Sequence, residues 1–529
     1  MLLDAVAAPL FVMAVSLPFV FGYTAPPIAN FWPLTFAWAC GVVAMLCFVR
    51  CTRALGGVQG RWVMARQVAA AMLLAALVGG LIGLAQYVAG DLGWSPWVQA
   101  SVPGQAMGNL RQRNQQASLL SLGVWALLWM VMQTRARSDA GASAASAPPS
   151  PAAGLRVWRS WLVGGLIIGG LAFLAVASAA TTSRTGAVQW LLIVGLVMLW
   201  RARGGAADLG LSVAGVGLYV LAAWWLPGLL QEWTGATAES LVTRLHGEAS
   251  GCTSRRVLWA NVIHLIAQKP WLGWGWGELD YAHYITQFPG ARFCVLLDNA
   301  HNLPLHLAVE LGLPAAGLLC LVALVWVMRA KPWRETDPAR QLAWGVLAIV
   351  GFHSLLEFPL WYGPFQVITL LAVALLWQWP LPAWAATRAA QAAGVAGLVC
   401  AAAVALAAVW DYYRVSLLYR PAHLRPAAYQ QDTAAKVSDA VFFSDQADFA
   451  WLSTTTLTQE TAPRRYAVAL SLLHFSPEPR VIEALIGSAE LLGQDGEAAF
   501  HRERYRIAYP ADFQRWAGAR ALAASVPDY

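Results

Sequence analysis

VAAAMLLAALVGGLIGLAQYVA, residues 68–89, runs for 22 positions without a charged side chain. At about 1.5 Å of rise per residue a helix of that length is about 33 Å long, the thickness of a bilayer's hydrocarbon core. Ten more apolar runs of similar character lie near 5–23, 31–49, 116–133, 160–178, 186–200, 209–227, 303–328, 341–357, 359–379 and 392–410. The expected fold is therefore all-α, a polytopic membrane protein with about eleven transmembrane helices. The first run begins with Asp4 rather than a basic stretch and precedes many others, so it is expected to stay attached rather than act as a cleaved signal.

Composition agrees. Of 529 residues, 58% are hydrophobic and 12% charged, about half the charged share of an ordinary soluble domain. A water-exposed surface could not be built from this chain, so lipid must cover much of it. The net charge of +7 does not point to nucleic acid, because the basic residues sit between apolar runs. Arg50, Arg53, Arg61 and Arg66 occupy one loop, Arg135, Arg137, Arg156 and Arg159 another, and Arg201 and Arg203 a third. Arg329, Lys331, Arg334 and Arg340, then Arg388, mark two more alternate loops. Positive loops stay in the cytoplasm, which places 90–115, 179–185, 228–302, 358 and everything after 410 outside it, with the N-terminus inside.

Four segments follow: membrane helices over 1–227, an extracytoplasmic loop over 228–302, further membrane helices over 303–410, and a soluble helical region over 411–529. Residues 138–154 are rich in Ala, Ser and Pro and read as a flexible cytoplasmic linker. The tail contains amphipathic stretches at 479–493 and 495–507 and suggests a paired-helix, TPR-like domain. Five of the seven cysteines lie in or beside apolar runs, whereas Cys252 and Cys294 share one polar loop, where a disulfide would require an oxidising compartment. Neither CxxC nor Cys/His spacing suggests a metal, and no P-loop, Rossmann glycine pattern or HExxH occurs.

Polar residues at the outer ends of apolar runs are costly unless they face a cavity, so each is a site candidate. Arg184 stands in TTSRTG, and GNLRQRNQQA (108–117) brings Arg111, Gln112, Arg113 and Asn114 to the start of a run. The loop carries Arg244, His246, Arg255, Arg256, His264, Lys269, Glu278, Asp280, His283 and Arg292 before DNAHN (298–302), where His301 adjoins Asn302. His306 and Glu310 follow one turn apart. HSLLEFPLWYGPF (353–365) is expected to put His353 and Glu357 on one helix face just before Pro359. An outward-facing enzyme without nucleotide machinery must use an already activated substrate, and arginines with one histidine suit an anionic phosphate leaving group.

GNLRQRNQQA, TTSRTG, PWLGWGWGELDYAHY with DNAHNLPLHLAVELGLPAAG, HSLLEFPLWYGPF and the tail from WDYYRVSLLYRP (410–421) together resemble the bacterial protein O-oligosaccharyltransferases that glycosylate pilin-like proteins, within the O-antigen ligase and polymerase superfamily. The resemblance implies a fold of the glycosyltransferase-C kind in the bacterial inner membrane. It implies transfer of a preassembled oligosaccharide from undecaprenyl diphosphate to Ser or Thr of a pilin-like or other periplasmic protein, without metal or other cofactor. His301 would take the acceptor's proton, and Arg184 and Arg255 would bind the diphosphate, with Arg256 able to replace Arg255. Gln112, Asn114, Asn302, Glu357 and Tyr362 would contact the substrates. A lipid A core ligase or an O-antigen polymerase would share the donor but take a sugar acceptor. A polysaccharide or lipid transporter would instead need inverted repeats and helices broken at the midplane.

Overall fold

A computed structural model describes residues 2–142, 153–201, 205–238, 251–377 and 387–525, and all regular secondary structure among them is helical. Arg203, Arg244, His246 and most of the 138–154 linker lie outside the described residues. Each expected apolar run coincides with a helix: Leu2–Val20, Phe31–Leu55, Gly57–Ala89, Arg113–Ala142, Ala153–Ala180, Arg184–Trp200, Ala206–Thr234, Leu303–Ala330, Pro338–Ser354, Gly363–Leu376 and Arg388–Ser416. Seven of these, from Phe31–Leu55 onward, contain stretches long and apolar enough to cross a membrane. Leu2–Val20, Arg184–Trp200, Pro338–Ser354 and Gly363–Leu376 are the shorter four. A helix is the form such runs must take in lipid, because it satisfies every backbone N–H and C=O internally.

The chain divides into two compact units. The first comprises 1–24, 29–248 and 323–378. Its centre is the helix Arg113–Ala142, whose apolar window is 83% buried, against 17% for Phe31–Leu55. Lipid offers no hydrophobic drive between helices, so close approach of small residues and fixed polar contacts must hold them. Both are present. Gly123 leaves room for Ala76, and a Cβ on Gly345 would stand 2.2 Å from the Trp125 indole. The buried Trp125 and Trp129 each satisfy their indole N–H at the carbonyl of a facing helix, Leu342 at 3.1 Å and Pro338 at 2.8 Å.

The second unit comprises 25–28, 249–322 and 379–529. Its tail stacks the helices Ser444–Thr454, Ala462–Leu472, Pro479–Leu491, Asp495–Ala508 and Pro510–Ser525 around Val481, Ile482, Leu485 and Tyr505. The segment that precedes Leu303–Ala330 is anchored to that stack by the short helix Leu279–Ile285. Tyr284 enters the tail's core and its hydroxyl shares a 3.1 Å hydrogen bond with His501 Nδ1. Tyr281 stacks on His474 at 3.8 Å, and Glu278 Oε2 lies 2.8 Å from His474 Nδ1. Cys252 and Cys294 form a disulfide with Cα atoms 5.3 Å apart.

Two expectations need correction. The run over 303–328 is not one continuous helix: Leu303–Ala330 is broken at Gly312, with φ 83° and ψ 163°. Pro314 has no N–H to donate and disfavours helical backbone before it. The break also frees carbonyls for the WLGWGWG loop, since Trp274 N–H bonds Val309 O at 2.9 Å and Gly275 N–H bonds Glu310 O at 3.0 Å, while Leu313 N–H bonds Pro270 O at 2.8 Å. Likewise the helix expected to carry both His353 and Glu357 stops at Ser354, so Glu357 stands in the turn that follows, its N–H still bonded to His353 O at 2.9 Å.

At Gly312 only glycine tolerates the backbone angles, and a Cβ would lie 2.2 Å from Trp271 O. Gly312→Ala is expected to destabilise the second unit by about 2 kcal/mol or more. Thermal unfolding of the detergent-solubilised protein checks this, and an unchanged midpoint would refute the reading of the break.

Candidate active site

In the first unit the polar residues gather where helices begin. Gln112 precedes the helix Arg113–Ala142 and accepts the Gln115 N–H at 2.8 Å through its side chain, the work of an N-cap. Ser183 caps Arg184–Trp200 by accepting the Gly186 N–H at 3.1 Å. Asn114 joins the two starts: its Oδ1 accepts from Ser183 Oγ at 2.6 Å and its Nδ2 donates to Glu357 Oε1 at 2.8 Å. Gln112 Nε2 donates to the other carboxylate oxygen at 3.3 Å. Glu357 is buried, so these amides, each unable to neutralise it, fix its direction. One layer deeper, Ser118 Oγ lies 2.8 Å from His353 Nδ1 and accepts from Gln189 Nε2 at 2.8 Å.

Gln112, Asn114 and Glu357 are thus brought together. Arg184 is the half-buried first residue of its helix, one position past the Ser183 cap. Arg111 donates to Ala29 O at 2.7 Å and lies within electrostatic reach of Tyr362, which stands at the start of Gly363–Leu376. Arg113 reaches Thr182 Oγ1 at 3.5 Å.

The second unit repeats one device. Ser254 caps the helix Arg255–Gln268 by accepting the Val257 N–H at 3.3 Å, and Arg255 is its first residue. Thr182-Ser183-Arg184 and Thr253-Ser254-Arg255 therefore use the same three residues to present an arginine beside a helix N-terminus, where free N–H groups and the helix dipole favour an anion. Arg256 is exposed and turns to an apolar groove lined by Ile263, His264 and Phe288.

His301 sits just before the helix that Asn302 caps, Asn302 Oδ1 accepting the Leu305 N–H at 3.0 Å. Its own N–H is held by Asn299 Oδ1 at 2.9 Å, and the neighbouring Ala300 carbonyl accepts from the Trp259 indole at 3.1 Å. His301 has φ 50°. Arg111 at 61° and Thr182 at 49° are also left-handed, and for a β-branched threonine that is a strained conformation. Strain of this kind concentrates at working sites because the surroundings must over-determine it.

Other loop residues serve the scaffold. Burial, and then the neighbouring Arg292, push the His283 pKa down to about 3, and His283 Nδ1 meets Arg292 Nη2 at 3.2 Å. Lys269 lies over the Trp274 ring at 4.0 Å. Ser183, Ser118, Gln189 and Asn299 were missed at the sequence level; only the Asx-turn habit of asparagine before a histidine could have drawn attention to Asn299. Among the described residues no group of three His, Cys, Asp or Glu is arranged to hold a metal.

Three family models match the chain: "Protein glycosylation ligase" over 106–131, "O-Antigen ligase" over 169–322, and "Virulence factor membrane-bound polymerase, C-terminal" over 341–524. A general O-oligosaccharyltransferase of Acinetobacter baylyi is 30% identical over 136 residues, which are 26% of this chain and 23% of that relative. The match thus spans about a quarter of either protein. No solved structure matches the chain.

Asp280 offers a test of the loop's electrostatics. Burial, then the nearby Asp298 and Glu278, push its pKa up to about 7, while the Tyr281 N–H opposes the rise. The folded state therefore holds this proton more tightly than the unfolded chain, so the group's contribution is full below about pH 4 and is lost as pH rises through about 7. Asp280→Asn should remove that loss and raise the unfolding temperature at pH 8 relative to pH 5 more than in the parent; an equal pH response in both proteins would refute it.

Proposed function

We propose that this chain, which belongs to the O-antigen ligase superfamily, is a multi-pass membrane glycosyltransferase that moves a preassembled oligosaccharide from undecaprenyl diphosphate to a Ser or Thr hydroxyl of a pilin-like or other periplasmic protein. The observations that carry this reading are made within each unit: a Thr-Ser-Arg helix start in both, and in the second unit His301, held in a left-handed turn by Asn299. An anion clamp and a positioned base are the two things this transfer needs. A hydroxyl is a poor nucleophile at neutral pH, and a diphosphate leaves only if its growing charge is met.

His301 accepts the proton of the attacking hydroxyl as its oxygen bonds to the anomeric carbon. The bond from that carbon to the diphosphate oxygen breaks, and Arg184 and Arg255 neutralise the leaving group. Arg suits that task because its fork stays charged and grips phosphate oxygens in pairs. Gln112, Asn114 and Glu357 form a fixed polar wall for sugar or acceptor hydroxyls, with Tyr362, Asn302 and Arg256 as further contacts. All eleven helices cross the inner membrane, the four shorter ones included, with the N-terminus cytoplasmic and residues 411–529 periplasmic. The disulfide supports that orientation, since thiols pair in oxidising compartments.

A second reading, an O-antigen polymerase, is favoured by the polymerase-type match over 341–524. It shares the donor and differs in the acceptor. Co-expression with a lipid-linked glycan pathway and a candidate pilin separates them: a glycan mass on intact pilin supports the first, while chain growth on lipid-linked glycan with unmodified pilin supports the second.

His301→Ala is expected to lower transfer by about a hundredfold or more while membrane insertion is unchanged. Arg184→Lys and Arg255→Lys should each lower kcat/KM for the donor by about tenfold, because lysine cannot grip two oxygens in a plane. Near-parental glycosylation by the histidine variant, scored by intact-protein mass, would overturn the assignment.

A further inference from the structure

An apolar helix that buries a histidine and a glutamate together requires an explanation, because each buried charge costs several kcal/mol unless it is paired. His306 Nε2 and Glu310 Oε2 are 3.5 Å apart, and the two residues are 3% and 2% exposed. A neutral pair of leucines would pack there without that cost. The Glu310 backbone is fixed by the Gly275 N–H, which donates to its carbonyl at 3.0 Å, and the Gly277 N–H acts electrostatically on its side chain. The Trp276 ring closes over His306 edge-on, with centroids 6.1 Å apart.

The position of this pair relative to His301 follows from helix geometry. Asn302 is the N-cap of Leu303–Ala330, which makes His301 the residue before the cap and His306 the fourth residue after it. Those two positions are neighbours at a helix start, where apolar side chains often pack against each other. His301 does act electrostatically on His306. Glu310 then lies one turn further along the same face. The helix spacing thus sets His301, His306 and Glu310 in sequence along one side of this helix start, all within the second unit.

We propose that Glu310 is a positioning residue for the transfer reaction, acting through His306 to stabilise the proton that His301 takes from the acceptor hydroxyl. The inference rests on the proposed role of His301. When the new bond to the anomeric carbon forms and the diphosphate departs with its electron pair, the hydroxyl proton resides on His301, and the negative charge of Glu310, carried by the intervening imidazole, offsets the positive charge created. The proton is released to water as the product leaves. The charged and titratable groups facing the pair are His301 on its own element and Glu278 on the adjacent loop, the latter itself paired with His474.

The test compares Glu310→Gln and Glu310→Asp in the full-length protein, with transfer rate measured against pH. Glutamine keeps the shape and hydrogen bonds but not the charge. Glu310→Gln is expected to lower kcat about tenfold or more with the donor KM unchanged. Removing the negative charge weakens the base, so the acid limb of the pH profile should move to lower pH. Glu310→Asp should restore most of the rate and the parental limb. A Gln variant with parental kcat and parental pH profile would overturn the proposal and leave the glycosyltransferase reading intact. Loss of rate in both variants with the limb unmoved would also overturn it, as a packing role. A parent that transfers no glycan would instead refute the reading beneath it.

Discussion

Every backbone N–H and C=O that leaves a helix in this chain must find another partner, because lipid offers none. The points at which helices stop are therefore the points at which the chain invests side chains. Ser183, Ser254, Asn302 and Asp337 each accept an N–H at a helix start. At Gly312 the break is matched by a glycine- and tryptophan-rich loop that supplies N–H donors to Val309 and Glu310. The residues argued to do chemistry are neighbours of these caps, since a helix start is where polar groups are both affordable and held still.

The same constraint explains the polar wall of the first unit. Glu357 is buried at the end of an apolar run, and a carboxylate there must be hydrogen-bonded or protonated. Two amides from the start of Arg113–Ala142 bond it, and one of them also bonds the cap of the next helix. Three helix ends are thus tied through side-chain hydrogen bonds. In the second unit the loop is held by covalent and aromatic means instead: a disulfide, the Tyr284 and His501 contact, and Tyr281 stacked on His474. A solvent-facing loop has water to satisfy its backbone and little apolar pressure to order it, so cross-links to a folded helical stack are what limit its motion.

Much of this was legible in the linear chain. Eleven apolar runs coincide with eleven helices because hydropathy over about twenty residues depends on nothing but local composition. The candidate residues were visible for a related reason: polar side chains at the ends of apolar runs stand out wherever the helices come to lie. The Thr-Ser-Arg repeat went unread, although serine before a helix is a capping signal that the chain displays at both places.

What tertiary structure decided is partnership. His353 and Glu357, one turn apart in sequence, go to different neighbours: Ser118, 235 positions away, and the amides of Gln112 and Asn114, 245 and 243 positions away. The break at Gly312 depends on a loop some forty residues earlier seating its N–H groups against Val309 and Glu310. Periodicity and hydropathy describe a residue's surroundings along the chain, whereas a hydrogen bond depends on distances of a few tenths of an ångström between groups that the chain brings together only once its helices have packed.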